Sequence, residues 1–152
     1  MTEEISRLLA SGSEQIVRTW SEKVMSDRRV QSDSQLSYAQ LIDHIPQIIE
    51  ELKQAMVTGP PEDDLTQALN HGRQRWRQGY ELKEVIRELI LLRATLLEFL
   101  ETYRGAMRQH NLDQLTRAYR KINGFIDEEL YKTVEAYLEA PQYSKSIESV
   151  TV

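Results

Sequence analysis

Hydrophobic residues recur along most of this chain at intervals of three and four residues, which place them on one face of an α-helix. One such region has apolar residues at positions 41, 45, 48, 52 and 56. The strict alternation of apolar and polar residues that is typical of half-buried strands is absent. The pattern therefore predicts an all-α fold of five to six helices.

The six glycines and four prolines fall mainly where helices would begin or end. Ser11-Gly12 separates a short first helix from a second one, for which Ser13 is a suitable N-cap. Pro46 either bends the third helical region or marks a fresh first turn. The run Thr58-Gly-Pro-Pro ends that region, and Gly79 suits the position after the C-terminus of the next helix.

Two long helices are predicted in the C-terminal half. The first runs over residues 81–109, and the second opens at Asn111, which forms a capping-box pattern with Gln114. The second helix ends near residue 140, before a proline and a serine-rich tail. We therefore expect one helical domain over residues 1–140, followed by a flexible tail or linker start over residues 141–152.

Composition narrows the class of protein. Of 152 residues, 40% are apolar and 28% are charged, which is typical of a globular chain. The formal net charge of −5 disfavours nucleic acid and anionic membranes as partners. Neither a signal peptide nor an apolar stretch of the roughly 20 residues that a membrane span needs is present. We expect a cytoplasmic protein.

Recognisable catalytic and metal-binding patterns are missing from the sequence. The absence of cysteine excludes disulfides, thiol nucleophiles and thiolate metal sites. His44, His71 and His110 lie on different predicted helices or helix ends, and none has a second histidine four residues away. Nucleophile elbows and phosphate-binding loops are absent, and the paired acidic residues read as solvated helix faces with no raised pKa. We expect no enzyme, no metal and no cofactor, haem included.

A polar stripe stands out on the helix before Gly79. His71, Arg75 and Gln78 fall at positions i, i+4 and i+7, beside the apolar face of the same helix. We favour a hydrated helix edge, and the alternative is a donor-rich wall of a pocket or a partner surface. Arg73 and Arg77 fall together on another face, so the basic residues of this helix do not form one nucleic-acid-binding surface.

Arg93 is the second unusual position. It falls among the leucines of the first long helix, and its neighbours three and four residues away are all apolar. We expect its guanidinium to be mostly buried. A buried guanidinium needs a partner, which would be a carboxylate of another helix or an anionic ligand.

The last predicted helix carries more apolar surface than one face requires. A heptad-like seam runs from Leu112 to Tyr137 with one extra residue near Glu129, and further apolar residues flank it. A two-fold symmetric homodimer would cover this surplus. The predicted dimer interface consists of Phe125, Ile126, Leu130, Val134, Tyr137 and Leu138.

The run from His71 to Arg93 resembles a known family. It contains a His-Gly-x-x-Arg-x-x-Gln-Gly-Tyr stretch, from His71 to Tyr80, that leads into a Leu-Leu-Arg segment ending at Arg93. With Trp20 upstream, it resembles the N-terminal sensory domain of RsbT co-antagonist (RsbR-type) proteins, which also precedes sensor histidine kinases. The resemblance covers most of residues 13–140.

The resemblance implies a non-haem, globin-like or bundle-like domain that dimerises and regulates an output module through its last helix. Its partners would be a kinase or an anti-sigma or co-antagonist-type signalling protein. An output domain does not follow in this sequence, so we expect a stand-alone regulator or a piece of a longer protein.

The leading hypothesis is a signalling domain whose ligand or structural polar site consists of His71, Arg75, Gln78, Tyr80 and Arg93. The main alternative is a small-molecule or cofactor carrier with a pocket around Arg93, and a weaker one is a pure assembly module.

Overall fold

A computed structural model describes residues 2–58, 66–104 and 112–139. The α-helices are α1 (Thr2–Ser11), α2 (Ser13–Ser26), α3 (Tyr38–Ile42), α4 (Ile45–Thr58), α5 (Thr66–Arg77), α6 (Leu82–Arg104) and α7 (Leu112–Glu139), with a 3-10 turn at Ser32–Gln35. These ranges contain no strand. The prediction of an all-α fold with two long C-terminal helices is confirmed.

Gly12 joins α1 to α2 at a close approach to α6. Its N–H bonds to the Leu8 carbonyl and its own carbonyl accepts from the Ile16 N–H, so the two helices nearly continue each other. A Cβ atom at Gly12 would overlap the buried Phe99 ring. The predicted interruption is confirmed, but the predicted Ser13 cap is wrong, because Ser13 is the first residue of α2 and Gly12 occupies the capping position.

The predicted helical region that begins near Leu41 is divided in the structure, and its first part is the separate short helix α3. Ser37 and Gln40 form a reciprocal capping box that opens the five-residue α3. Pro46 then lies in the first turn of α4, where its missing N–H costs no helical hydrogen bond. Of the two alternatives for Pro46, the fresh first turn is therefore the one observed.

Gly79 ends α5 in the predicted way. Its φ of 85° is in the left-handed region that favours glycine. The Gly79 N–H bonds to the Trp76 carbonyl and the Tyr80 N–H to the Arg75 carbonyl, which is the Schellman arrangement. This turn delivers the chain directly into α6. The predicted end of α6 near residue 109, Asn111 and His110 all lie outside the described residues.

The helix α7 packs along α5 and α6 and also contacts α4 and α1. Because four helices enclose it, α7 buries Phe125, Ile126 and Tyr137 in the core of its own chain. The assignment of these three residues to a dimer interface was therefore wrong. Of the predicted interface residues, Leu130 and Val134 are half-buried, and Leu138 is 54% exposed.

Beyond Leu138, the large apolar side chains that α7 exposes are Leu112 and Tyr131. Tyr131 is 62% exposed and lies two helical turns before Leu138. Along the described helices, including the apolar centre of α6, no segment is both long enough and apolar enough to cross a membrane.

Candidate functional site

The polar stripe of α5 faces the core. His71 is 1% exposed and Arg75 is 2% exposed, whereas Arg73 and Arg77 are exposed on the other side of the helix. The hydrated-edge interpretation is therefore wrong, and the separation of the three arginines between faces is confirmed. Burial of charge on this scale requires partners from other helices.

Arg75 is paired with a buried carboxylate of α6. Its Nε lies 2.9 Å from Oε1 of Glu88, and Glu88 is fully buried. Nη1 donates to the Gln78 side-chain oxygen at 2.8 Å, and Nη2 donates to the Leu41 carbonyl. A weaker contact of 3.4 Å joins Nη1 to the Gln40 carbonyl. One guanidinium thus joins α5 to α6 and to α3.

Tyr80 and Trp20 complete this arrangement. The Arg75 guanidinium carbon lies 4.9 Å from the centre of the Tyr80 ring, a cation–π distance. The indole N–H of Trp20 donates to the Glu88 carbonyl at 2.9 Å, which fixes α2 against α6 at the same level. The Tyr137 hydroxyl donates to the Tyr80 carbonyl at 2.8 Å and brings α7 to the cluster.

His71 lies at the other side of Glu88. Its Nε2 is 3.8 Å from Oε1 of Glu88, and its ring packs edge-on against His44 with the ring centres 6.0 Å apart. Neither ring nitrogen of His71 has a hydrogen-bond partner among the described residues. Burial, followed by the charge of Arg75 and the nearby His44, holds the pKa of His71 well below its ordinary value. The neutral imidazole is therefore the form that the folded chain favours at pH 7.

Glu88 is a titratable group near neutral pH. Burial raises the pKa of Glu88 to about 7, although the charge and hydrogen bond of Arg75 act in the opposite direction. Burial and the nearby Glu88 also raise the pKa of Tyr80, so its phenol stays protonated. The expectation that no carboxylate of this chain has a raised pKa was wrong.

Both ring nitrogens of His71 are buried without a hydrogen-bond partner in the described part of the chain, and the buried Tyr80 hydroxyl interacts with the Glu88 carboxyl group. Unpaired groups of this kind are costly and mark sites that can take up a proton or a small polar molecule. We define His71, Arg75, Gln78, Tyr80 and Glu88 as the buried polar cluster. Its chemical capacity is the exchange of one proton between Glu88, His71 and their surroundings.

Arg93 does not belong to this cluster. Its Nη2 lies 2.9 Å from Oδ1 of Asp127 on α7, and the side chains of Arg93 and Asp127 are 28% and 64% exposed. The predicted pairing with a carboxylate of another helix is confirmed. The side chain is mostly buried, as predicted, but it lies at the edge of the buried face of α6, which is centred on Val85 and Leu92, one residue away from the register that the leucines suggested.

Glu88 is the functional candidate that the sequence analysis missed. In the correct register of α6 it follows Val85 by three residues and precedes Leu92 by four, which places it in the middle of the buried face. A charged residue at such a position was the available signal. It was hidden because Glu84, Arg87 and Glu88 together look like an ordinary solvated stretch.

Metal binding receives no support from this geometry. Within the described ranges, no group of three or more histidine or acidic side chains could hold a metal ion. His44 is engaged by the side chain of Gln74 and lies beside Asp43.

A comparison with known protein families supports the resemblance that the sequence analysis based on the run from His71 to Arg93. Residues 14–144 match the family described as the RsbT co-antagonist protein rsbRD N-terminal domain. The match includes every residue of the buried polar cluster and all of α7. Searches of curated proteins and of solved structures gave no match. The chain belongs to the RsbT co-antagonist protein rsbRD N-terminal domain family, whose members are regulatory signalling domains.

Proposed function

We propose that this chain is a sensory domain that dimerises and passes a stimulus through α7 to an output protein. The observation that carries this proposal is the hydrogen bond of 2.8 Å from the Tyr137 hydroxyl to the Tyr80 carbonyl. It links the last turn of α7 to Tyr80, whose ring lies against Arg75. A change in the buried polar cluster therefore has a direct route to the C-terminal end of α7.

The local geometry makes this route stiff. The Tyr80 N–H donates to the Arg75 carbonyl at 3.0 Å, so the backbone around Tyr80 is held from both sides. Arg75 in turn is held by Glu88. If Glu88 gains or loses its proton, the contacts of Arg75 change, and the anchoring point of Tyr137 changes with them. Packed helices that can adopt two discrete arrangements can carry a local change, such as this protonation, to a distant part of the molecule.

Dimerisation through α7 is part of this proposal. Tyr131 and Leu138 are 62% and 54% exposed, and half-buried Val134 lies between them on the helix. Exposed apolar side chains at this spacing suit a parallel contact between two copies of the helix. Such a contact would bring two output modules together beyond residue 139.

The family description supplies the class of output partner. A co-antagonist acts together with other regulators on a signalling protein, so we propose a kinase or an anti-sigma or co-antagonist-type protein as the partner. We further propose that the chain acts in the cytoplasm and is not an enzyme. The carrier hypothesis finds less support, because Arg93 is partly exposed and engaged by Asp127.

The transmission step is testable with hydrogen exchange on the full chain. Glu88→Gln removes the titratable group and should change exchange rates in the last two turns of α7. Adding Tyr137→Phe should reduce that change by at least half, because the linking hydrogen bond is gone. Tyr131→Phe is the matched control on the exposed side of α7 and should leave the change intact. Unaltered exchange in α7 on Glu88→Gln would contradict the proposal.

The dimer is tested separately by light scattering over a hundredfold range of concentration. Tyr131→Glu and Leu138→Glu should each weaken the dimer at least tenfold, because a charge would be buried in an apolar contact. Leu112→Glu, at the opposite end of α7, is the control and should not. A particle of 17.8 kDa at every concentration would contradict dimerisation.

A further inference from the structure

Glu129 is a second buried carboxyl group, and it lies in α7 outside the buried polar cluster. Its side chain is 0% exposed, and neither carboxylate oxygen has a hydrogen-bond partner among the described residues. It occupies the place where the heptad-like seam of α7 contains one extra residue. A seam position filled by an acid instead of an apolar residue costs stability, which calls for a physical explanation.

The surroundings of Glu129 are closely packed. Thr133, one helical turn later, is also fully buried, and its hydroxyl has no partner in the described part of the chain. At this level α5 approaches α7 at Gly72, where a Cβ atom would lie 3.1 Å from Cβ of Ala136 and 3.4 Å from Cα of Thr133. Helices this close leave the carboxyl group no route to water unless they separate.

No compensating cation acts on Glu129 within the described ranges. The one charged group with a resolved influence on it is Glu51 of α4, which is also a carboxylate. Burial, with a further contribution from Glu51, raises the pKa of Glu129 to about 8. The neighbouring helices hold cations that are engaged elsewhere or exposed. On α7 and the helices that contact it, these are Lys53 with Glu50, Arg75 with Glu88, Lys83 with Glu81, Arg87 with Asp27, Arg93 with Asp127, Lys132 with Glu135, Lys121 with the Met56 carbonyl, and the exposed Arg7, Arg73, Arg77, Arg104, Arg117 and Arg120. His71 of α5 is held in its neutral form.

We infer that the Glu129 carboxyl is a proton-binding site inside the packing of α7 against α4 and α5, and that loss of its proton loosens α7 from these helices. The ionised carboxylate would be buried without a counter-charge and next to Glu51, so ionisation favours separation of the helices. The inference rests on burial and charge alone and is independent of the buried polar cluster and of the proposed output partner.

The sign of the pH dependence follows from linkage. Because the folded chain holds this proton up to a higher pH than the unfolded chain, the contribution of Glu129 to stability is complete below the ordinary glutamate range and is lost as pH rises through about 8. Across that window the unfolding equilibrium constant should rise about tenfold per pH unit from this group alone. Glu129→Gln keeps the shape and cannot ionise, so this increment should disappear.

The experiment is urea unfolding of the full chain and of Glu129→Gln at pH 5 to 9. We expect the unfolding constant of the wild type, divided by that of Glu129→Gln, to rise about tenfold per pH unit up to pH 8 and then to level off. Glu128→Gln is the matched control, since Glu128 is the exposed neighbour on the same helix, and it should leave the pH dependence unchanged.

Carboxyl carbon NMR on the unmodified chain gives an independent measurement. The Glu129 signal should titrate near pH 8, and Glu51→Gln should move that midpoint to lower pH, because a neighbouring negative charge is removed. The protection factors of the α7 amides, which are corrected for the pH dependence of intrinsic exchange, should fall over the same pH range in the wild type and not in Glu129→Gln. A Glu129 signal that titrates near pH 4.5, together with parallel pH curves for the two proteins, would overturn the inference.

Discussion

Nε of Arg75 lies 2.9 Å from Oε1 of Glu88, and this ion pair is the most deeply buried one among the described residues. The side chains are 2% and 0% exposed, so both charges have lost their hydration. Such pairs add little net stability, because the attraction mainly offsets the cost of desolvation. Their effect is to fix which elements lie together, and here they fix α5 against α6.

Removal of one partner of this pair should therefore lower the free energy of unfolding substantially. Arg75→Met keeps much of the side-chain volume but leaves Glu88 buried without its cation, and we expect a loss of about 3–5 kcal/mol in the free energy of unfolding at pH 8. The loss should be smaller at pH 5.5, where Glu88 takes up a proton. Urea unfolding measures both values.

The control for Arg75→Met is Arg73→Met on the exposed face of the same helix, which should change stability by no more than about 0.5 kcal/mol. The double variant Arg75→Met/Glu88→Leu should lose less than Arg75→Met alone, since no orphaned charge remains. Equal small losses for Arg75→Met and Arg73→Met would contradict the structural role of the pair.

The imidazole of His71 should make the fold sensitive to acid. Its folded-state pKa is depressed, so its contribution to stability is complete above about 6.5 and is lost as pH falls below that value. His71→Gln cannot take up a proton, and its stability relative to wild type should rise as pH falls from 6.5 to 5. Unfolding curves at four pH values in this range test the slope.

Glu88→Gln should show the opposite sign. The folded-state pKa of Glu88 is raised to about 7, so its contribution is complete below the ordinary glutamate range and is lost as pH rises through 7. Relative to wild type, this variant should lose stability as pH falls over the same interval. Identical slopes for the two variants would contradict the assignment of their protonation states.

Local features of the fold could be predicted because they depend on neighbouring residues alone. Gly79 ends α5 through its left-handed conformation, and Pro46 occupies a first turn, one of the two positions that the sequence left open for it. The placement of Arg73 and Arg77 on one face of α5 and of Arg75 on the other follows from helical spacing in the same way. None of these required knowledge of what the helix packs against.

The buried polar cluster could not be predicted in full for a physical reason. Periodicity shows which residues share a face, but several faces of α6 are apolar, and packing decides which one is buried. The leucines suggested a register that included Arg93, whereas the contacts with α2 and α7 bury Glu88. On α7 the same limitation led us to place Phe125 and Tyr137 at a dimer interface instead of in the core.

Arg93 should contribute little to stability. Its partner Asp127 is 64% exposed, and ion pairs near the surface are weakened by water and salt. We expect Arg93→Ala to cost no more than about 1 kcal/mol, and a double-mutant cycle with Asp127→Ala to give a coupling of about 0.2–1 kcal/mol that falls in 1 M salt. A loss of 3 kcal/mol or more would mean that Arg93 has a buried role beyond this pair.

Alanine substitutions at Gly124 and at Gly12 should change the stability of the chain in opposite directions. Gly124 lies inside α7 on its exposed side, and a Cβ there meets no atom within 4 Å. Glycine in a helix interior is less favourable than alanine by up to about 1 kcal/mol, so Gly124→Ala should stabilise the chain by about 0.5–1 kcal/mol.

Gly12→Ala should act in the other direction. The added Cβ would overlap the ring of Phe99, which is buried and packs edge-on against Tyr103 with the ring centres 5.1 Å apart. The ring cannot move without disturbing that contact, and forced overpacking costs about 1–3 kcal/mol. Thermal unfolding of both variants decides the matter. Because Gly12 sits at the junction of α1 and α2, stabilisation by Gly12→Ala would show that this junction does not approach Phe99 of α6 as closely as described, and the N-terminal part of the fold would need revision.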